Sequence, residues 1–372
     1  MAILISILVF IGVFIMTVRL FVRQPKFGVL PAGDRLQEIE AMPNYRDGKF
    51  MNQSHTPDLT EGVSYYKVLR EFLFDKSNRI KPSGVLPSKK TDLLTLEPDR
   101  NVMVWFGHSS YFLQVDGKKI LVDPVLSGAA SPVRFTTKSY KGSDVYTTDE
   151  LPEIDYLFLT HDHWDHLDYD TVIKLRRKTK NIICGLGVGA HLEHWGLDKH
   201  IIIEKNWGET AQLGDGFTVH VTPARHFSGR GFKRQSTLWA SYVLQTASFN
   251  IFLGGDSGYD THFATIGETF GPFDLAILEC GQYNANWKYI HMMPEETVQA
   301  AIDLKAAKLV PVHWAKFSLG QHAWDEPIIR ATSSARAKGL PILTPMIGEA
   351  LNLDGSESTT DWWLAVDSRS KI

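Results

Sequence analysis

The segment "YLFLTHDHWDHLDYD", residues 156–170, ends an apolar run in three histidines and four aspartates. Within it the spacing is H-x-H-x-D-H, formed by His161, His163, Asp165 and His166. A run of β-favouring residues leads into it, so the group belongs on a loop at a strand end, where side chains can converge. Imidazole together with carboxylate suits zinc or a related borderline metal, and the number of ions depends on which other donors arrive. Three further donors close apolar strands downstream: His226 in "TPARHFSGR", Asp256 in "FLGGDSGYD" and His313 in "VPVHWAKF". A lone strand-end histidine is commonly a hydrogen-bonded structural residue, and an aspartate after Gly-Gly a turn former. A solvated turn explains any one of them; it does not explain all of them together.

The chain around this loop divides into three parts. From Ala2 to Val18 there is no charge, and with Leu20 to Val22 a helix there covers about 30 Å, the thickness of a bilayer core. Arg19, Arg23 and Lys26 follow this run and do not precede it, unlike the basic start of a secretory signal peptide. Residues 1–22 are therefore expected to be an uncleaved transmembrane anchor, with the following domain on the cytoplasmic face. Residues 23–100 are rich in Pro, Lys, Asp and Ser and carry one amphipathic helical pattern, "EGVSYYKVLREFLFD". They read as a linker and extension lying over the main domain, which spans 101–372.

That domain begins with short strands, "NVMVWF", "SYFLQV" and "KKILVDPV", with Asp116-Gly117 as a hairpin turn. Strands then alternate with helices: "IDYLFLT" before a helix from Tyr169 to Lys178, "NIICGL" before one ending at His194, "FDLAILEC" before one near Pro294, and "KLVPVHW" before one near Asp325. The pattern is α/β and suits two sheets packed face to face with helices outside. Lys and Arg number 39 against 42 Asp and Glu, a net charge of -3 without a basic run, so no nucleic-acid partner is expected. Cys184 and Cys280 stand outside any CxxC pattern and read as buried thiols.

The H-x-H-x-D-H loop followed by His, Asp and His resembles the signature of the metallo-β-lactamase superfamily, over about residues 100 to 350. The resemblance implies a four-layer αβ/βα sandwich. It also implies two zinc ions, one held by His161, His163 and His226, the other by Asp165, His166 and His313, with Asp256 bridging them. The stretches "WFGHSSYFLQVDGKKILVDPV", "LTHDHWDHLD", "HFSGRG", "LWASYV", "GGDSGYDTHFATIGETFGPFDLAIL", "HMMPEETVQA" and "HWAKFSL" are similar to the N-acyl-phosphatidylethanolamine-hydrolysing phospholipase D branch and its bacterial relatives.

That likeness implies a phosphodiesterase acting on a membrane phospholipid, releasing an N-acylethanolamine-like alcohol and leaving phosphatidate. Paired metals supply a nucleophile at neutral pH and stabilise charge on phosphoryl oxygens. By the same likeness Asp165 is catalytic as well as ligating, and His291 in "KYIHMMPEE" is a proton donor or phosphate contact. From the residues themselves, Asp123 either orients a ligand histidine or turns the chain before Pro124, and His108 has the same two readings. Arg225 and Arg230 are candidate phosphate contacts. Trp287, Tyr289, Tyr283 and Phe317 border an acyl-chain groove or belong to the core. A lactonase or carboxyl-ester hydrolase would use the same donors, and a metal-binding membrane scaffold without turnover is the alternative of another class.

Overall fold

The computed structural model describes residues 1–75, 77–355 and 358–366. Helix α1 (Ala2–Val22) comes first and buries none of its residues. It is long and apolar enough to cross a membrane. Helix α2 (Gly33–Glu40), a two-residue-stranded hairpin of β1 (Tyr45–Arg46) and β2 (Lys49–Phe50), and helix α3 (Tyr65–Phe74) follow.

The first large sheet is built from β3 (Val102–Trp105), β4 (Tyr111–Val115), β5 (Lys118–Val122), β6 (Ile154–Leu159), β7 (Thr179–Gly185) and β8 (Ile202–Lys205), side by side in chain order. β3, β4 and β5 are antiparallel, and β5 to β8 run parallel. The turn between β4 and β5 is Asp116-Gly117, with φ of 45° and 76°, the two positive values a tight hairpin of this hand requires. The second sheet contains β9 (Thr210–Gly214), β10 (Phe217–Thr222), β11 (Ser241–Gln245), β12 (Asn250–Leu253), β13 (Leu275–Glu279) and β14 (Leu309–Val312). A last strand, β15 (Ala350–Asn352), returns to pair with β3.

Period-two alternation sorts the side chains into layers. Tyr156 and Phe158 of β6 point between the sheets, where they meet Val219, Tyr242, Leu253 and Ile277 of the second sheet. Leu157 and Leu159, one residue out of phase, face outward against Val172 of α4 (Tyr169–Leu175) and Leu192 of α5 (Val188–His194). On the far side Phe252, Ala276 and Leu278 pack against Phe263 of α6 (His262–Thr269), Val298 of α7 (Pro294–Asp303) and Ala335 of α8 (Glu326–Lys338). The result is helix, sheet, sheet, helix. Because both faces of the central strands are covered, they read as continuous apolar runs.

The helix expected to reach Lys178 ends at Leu175. Lys178 instead donates its Nζ to the carbonyls of Thr148 and Leu151, at 3.0 and 2.8 Å, and the chain turns into β7. Residues before β3 are fastened to the sandwich at discrete points. Arg35 pairs with Glu193 and with Glu204 at 2.8 Å, Asn44 and Asn206 exchange side-chain hydrogen bonds, and Asn52 bonds the main chain of His226. Phe158 is fully buried near the C-terminal end of β6, the strand that delivers the histidine loop. Phe158→Ala should lower unfolding free energy by about 3–5 kcal/mol in chemical denaturation, the cost of an unfilled aromatic site.

Candidate metal centre

Every donor named from the sequence lies at one rim of the sandwich, at the C-terminal end of a strand. β6 leads to His161–His166, β10 to His226, β12 to Asp256 and β14 to His313. Three ring nitrogens meet on one side: His161 Nε2 lies 2.9 Å from His163 Nδ1, which lies 3.2 Å from His226 Nε2. Burial and neighbouring histidines hold His161 and His226 well below the ordinary imidazole value, and burial brings His163 down to about 4. All three rings are therefore neutral at pH 7, with lone pairs to offer.

Across the site His166 Nε2 approaches Asp256 Oδ2 at 3.1 Å and Asp165 Oδ2 at 3.5 Å, and His313 Nδ1 approaches Asp256 Oδ1 at 3.1 Å. His166 Nε2, His313 Nε2 and Asp256 Oδ1 are buried without a hydrogen-bond partner. Orphaned polar atoms of this kind are costly unless a further group satisfies them. Among the described residues three sets of donors have ligand atoms within 4.8 Å of one another: His161, His163, His226 and Asp256; His108, Asp165, His166 and His313; and Asp256, His291 and His313. Despite burial, Asp256, Asp165 and Asp123 hold His166 well above its usual pKa, so these carboxylates demand positive charge. A divalent metal fits that demand, and an all-His/Asp donor set of this size leaves room for water, unlike a closed cysteine site.

Residues 118–314 match the Beta-lactamase superfamily domain. An uncharacterized protein of Mycobacterium tuberculosis is 37% identical over 328 residues, 87% of this chain and 88% of that one. The chain belongs to the metallo-β-lactamase superfamily. The N-acyl-phosphatidylethanolamine-hydrolyzing phospholipase D 1 of Caenorhabditis elegans is 29% identical over 259 residues, covering 63% of this chain and 73% of that protein. Among solved structures, Igni18, a metallo hydrolase of Ignicoccus hospitalis, superposes with a TM-score of 0.52 at 21% identity, over 68% of this chain and 97% of its own. This metallo-β-lactamase superfamily member is thus a metal-dependent hydrolase.

Around the donors of this hydrolase stands a shell that fixes their rings. Asp123 Oδ2 accepts from His166 Nδ1 at 2.8 Å, and is itself held by the amide and hydroxyl of Thr160 at 2.8 and 2.6 Å. Both readings of Asp123 hold, since its φ of 41° also makes it a turn residue. His108 meets Asp165 Oδ2 at 2.9 Å through Nε2, and its φ is 55°. Ser109 Oγ faces His313 Nδ1 at 2.8 Å, while His226 Nδ1 donates to the Ile290 carbonyl at 2.8 Å. His313, at φ 69°, and His108 exchange backbone contacts across the sheets: His313 N donates to His108 O, and His108 N to Trp314 O, both at 2.9 Å. Left-handed backbone at three non-glycine residues beside one site is strain that the surrounding packing holds in place.

Asp162 and Asp168, inside the histidine loop, serve other partners. Asp162 accepts from Gly229 N, Thr237 Oγ1 and His191 Nε2 at 2.6, 2.9 and 3.1 Å; Asp168 accepts from Ser127 N at 3.0 Å. His291 lies with its ring 5.0 Å from that of His226 and 5.2 Å from that of His313, and its Nδ1 is 3.4 Å from Glu279 Oε1. Burial pushes the Glu279 carboxyl up to about 7. Glu279 is weakly marked in the sequence, its one signal being a charged residue closing the apolar strand "FDLAILEC".

The two arginines are engaged by protein oxygens. Arg225 donates to Thr56 Oγ1 and the His55 carbonyl at 3.0 and 2.7 Å, and Arg230, buried, donates to the carbonyls of Lys26, Asp162 and Leu167. Three of the four aromatic residues are fixed by contacts of their own. Phe317 is buried against Val125 and Ala130, Tyr283 bonds Glu326 at 2.7 Å, and Tyr289 bonds Glu61 at 2.8 Å. Replacing Asp123 with Asn keeps its shape but removes the charge that orients His166. Metal affinity should fall about 10–100-fold in a chelator competition titration, with the circular dichroism spectrum unchanged.

Proposed function

We propose that this protein is a zinc-dependent phosphodiesterase of the N-acyl-phosphatidylethanolamine phospholipase D type, working at the membrane that α1 enters. The observation that carries the reading is that Asp256, grouped with His161, His163 and His226, also lies 3.1 Å from both His166 and His313, with His291 beside them. In this reading His161, His163 and His226 hold one zinc, Asp165, His166 and His313 the other, and Asp256 both. The ions would supply a water of lowered pKa and positive charge for phosphoryl oxygens.

The chain's own groups do the rest. Asp165, hydrogen-bonded to His108, is placed to orient the attacking water. His291 holds a proton against Glu279 and Asp256, both of which raise its pKa against the lowering effect of burial. It gives that proton to the alkoxide oxygen as the phosphorus–oxygen bond to the alcohol breaks, leaving phosphatidate. Arg19 in the last turn of the apolar helix, with Arg23 and Lys26 after it, supports an anchor over a cleaved leader and, in this reading, a domain on the cytoplasmic face. The phospholipase D names of the worm and yeast relatives support the lipid phosphodiester as substrate class.

The full chain, loaded with zinc in detergent, should release phosphatidate and a free head-group alcohol from a phospholipid panel followed by mass spectrometry. Fatty acid and lysophospholipid, or no product from any lipid, would sink the reading. Asp165→Asn and His313→Ala should each lower turnover by more than about 100-fold, beyond the loss of an outer partner, and reduce bound zinc.

A further inference from the structure

Helix α3 is turned inside out for a protein surface in water. Tyr65, Leu69, Phe72 and Leu73 fall on one stripe at helical spacing, with Tyr66 beside them. That stripe faces solvent: Tyr66, Leu69 and Leu73 are 77%, 57% and 58% exposed. The side turned toward the domain carries Val68 and Glu71, and Glu71 accepts a hydrogen bond from Asn286 at 2.5 Å. The helix thus docks by a polar contact and displays its apolar face, the arrangement of a surface that meets something other than water.

Its position says what that is. Only Arg23 and Gln24 separate α1 from the short helix Pro25–Phe27, where Phe27 packs edge-on against Trp164 with ring centroids 5.0 Å apart. Trp164 stands between His163 and Asp165, so α1 leaves the domain at the rim bearing the donors. Lys26 is held there by Arg230, which donates to its carbonyl. A few residues along, Phe232 is 83% exposed, and Arg234 pairs with Asp58 at 3.2 Å, which accepts from the Tyr65 hydroxyl at 3.1 Å. On the other end of the linkage, Thr60 N donates to Asn286 O at 2.8 Å in the loop leading to His291. One chain of contacts therefore joins the exit of α1, the loop of Phe232 and α3 along a single rim. Lys67 and Arg70 of α3 and Lys233 of the Phe232 loop are exposed, suiting anionic head groups.

We infer that α3 lies in the interface of the bilayer that α1 enters, its Tyr65–Leu73 stripe among the lipids and its polar side on the domain. This rests on α1 being a membrane anchor. It makes the membrane contact two-legged, and turns the mouth of the metal centre toward the leaflet from which substrate comes.

The test uses full-length protein in vesicles of phosphatidylcholine and phosphatidylglycerol, carrying one nitrobenzoxadiazole label at Leu69→Cys, Val9→Cys or Glu153→Cys. Glu153 precedes β6 at the opposite end of the strand from the donors, and the native Cys184 and Cys280 are buried. Lipids brominated along their acyl chains should quench Leu69 and Val9 at least about twofold more than Glu153. Quenching of Val9 with Leu69 as unquenched as Glu153 overturns the inference and leaves the anchor standing. All three unquenched removes the anchor and the inference together. A Leu69 emission shift that follows the protein-to-lipid ratio without quenching assigns the stripe to a second copy and also overturns it. In the enzyme, Leu69→Glu with Leu73→Glu should lower hydrolysis of vesicle lipid about tenfold while a soluble phosphodiester is cleaved at the unmodified rate. An equal fall on both substrates counts against the bilayer contact.

Discussion

Buried carboxylate charge is the condition on which this rim of the molecule is built. Asp165 and Asp256 are held well below the usual carboxylate range by the imidazoles around them, despite burial that works the other way. Charge removed from water has to be matched close by, and here it is matched by histidines whose remaining nitrogens point into a common space. Asp123, Ser109 and the Ile290 carbonyl each fix a ring so that its free nitrogen faces inward. Backbone bonds from His313 N to His108 O and from His108 N to Trp314 O tie the loop of one sheet to that of the other, fixing His108 and His313 together.

How far this was legible in the sequence differed with the chemistry. Metal ligands come from few residue types, and each here follows an apolar strand, so His161, His163, Asp165, His166, His226, Asp256 and His313 could be named before any coordinates, and all converge. The sandwich was legible for the same reason: strands buried on both faces leave continuous apolar runs. Groups that act by tertiary placement were not. Arg225 and Arg230 flank a donor in sequence, but carbonyls from residues 23–60 and the histidine loop capture them. Edge strands β8 and β9 are half-exposed and lack a strong pattern, so no local signal marks them. Helix α2 and the small hairpin draw their order from contacts such as Arg35 with Glu204, which no local pattern encodes.

The comparison with known proteins places the chain in its superfamily and stops short of a bond. Similar donor sets on this fold serve different reactions, so the substrate must be argued from what surrounds the metals. Beside the donors, the stretch between the apolar helix and the domain is tied down by Arg230 and by Phe27 against Trp164.

That short, fastened connection changes what concentration means for this enzyme. If the domain is anchored and its substrate is a lipid, as proposed above, it cannot leave or tumble away from the surface, and encounter with substrate is a two-dimensional event. The quantity that sets its speed is the mole fraction of substrate among the lipids around it, and bulk molarity drops out. Adding inert lipid slows such a catalyst although the amounts of enzyme and substrate are unchanged, and a cell could govern it by lateral sorting of lipids alone.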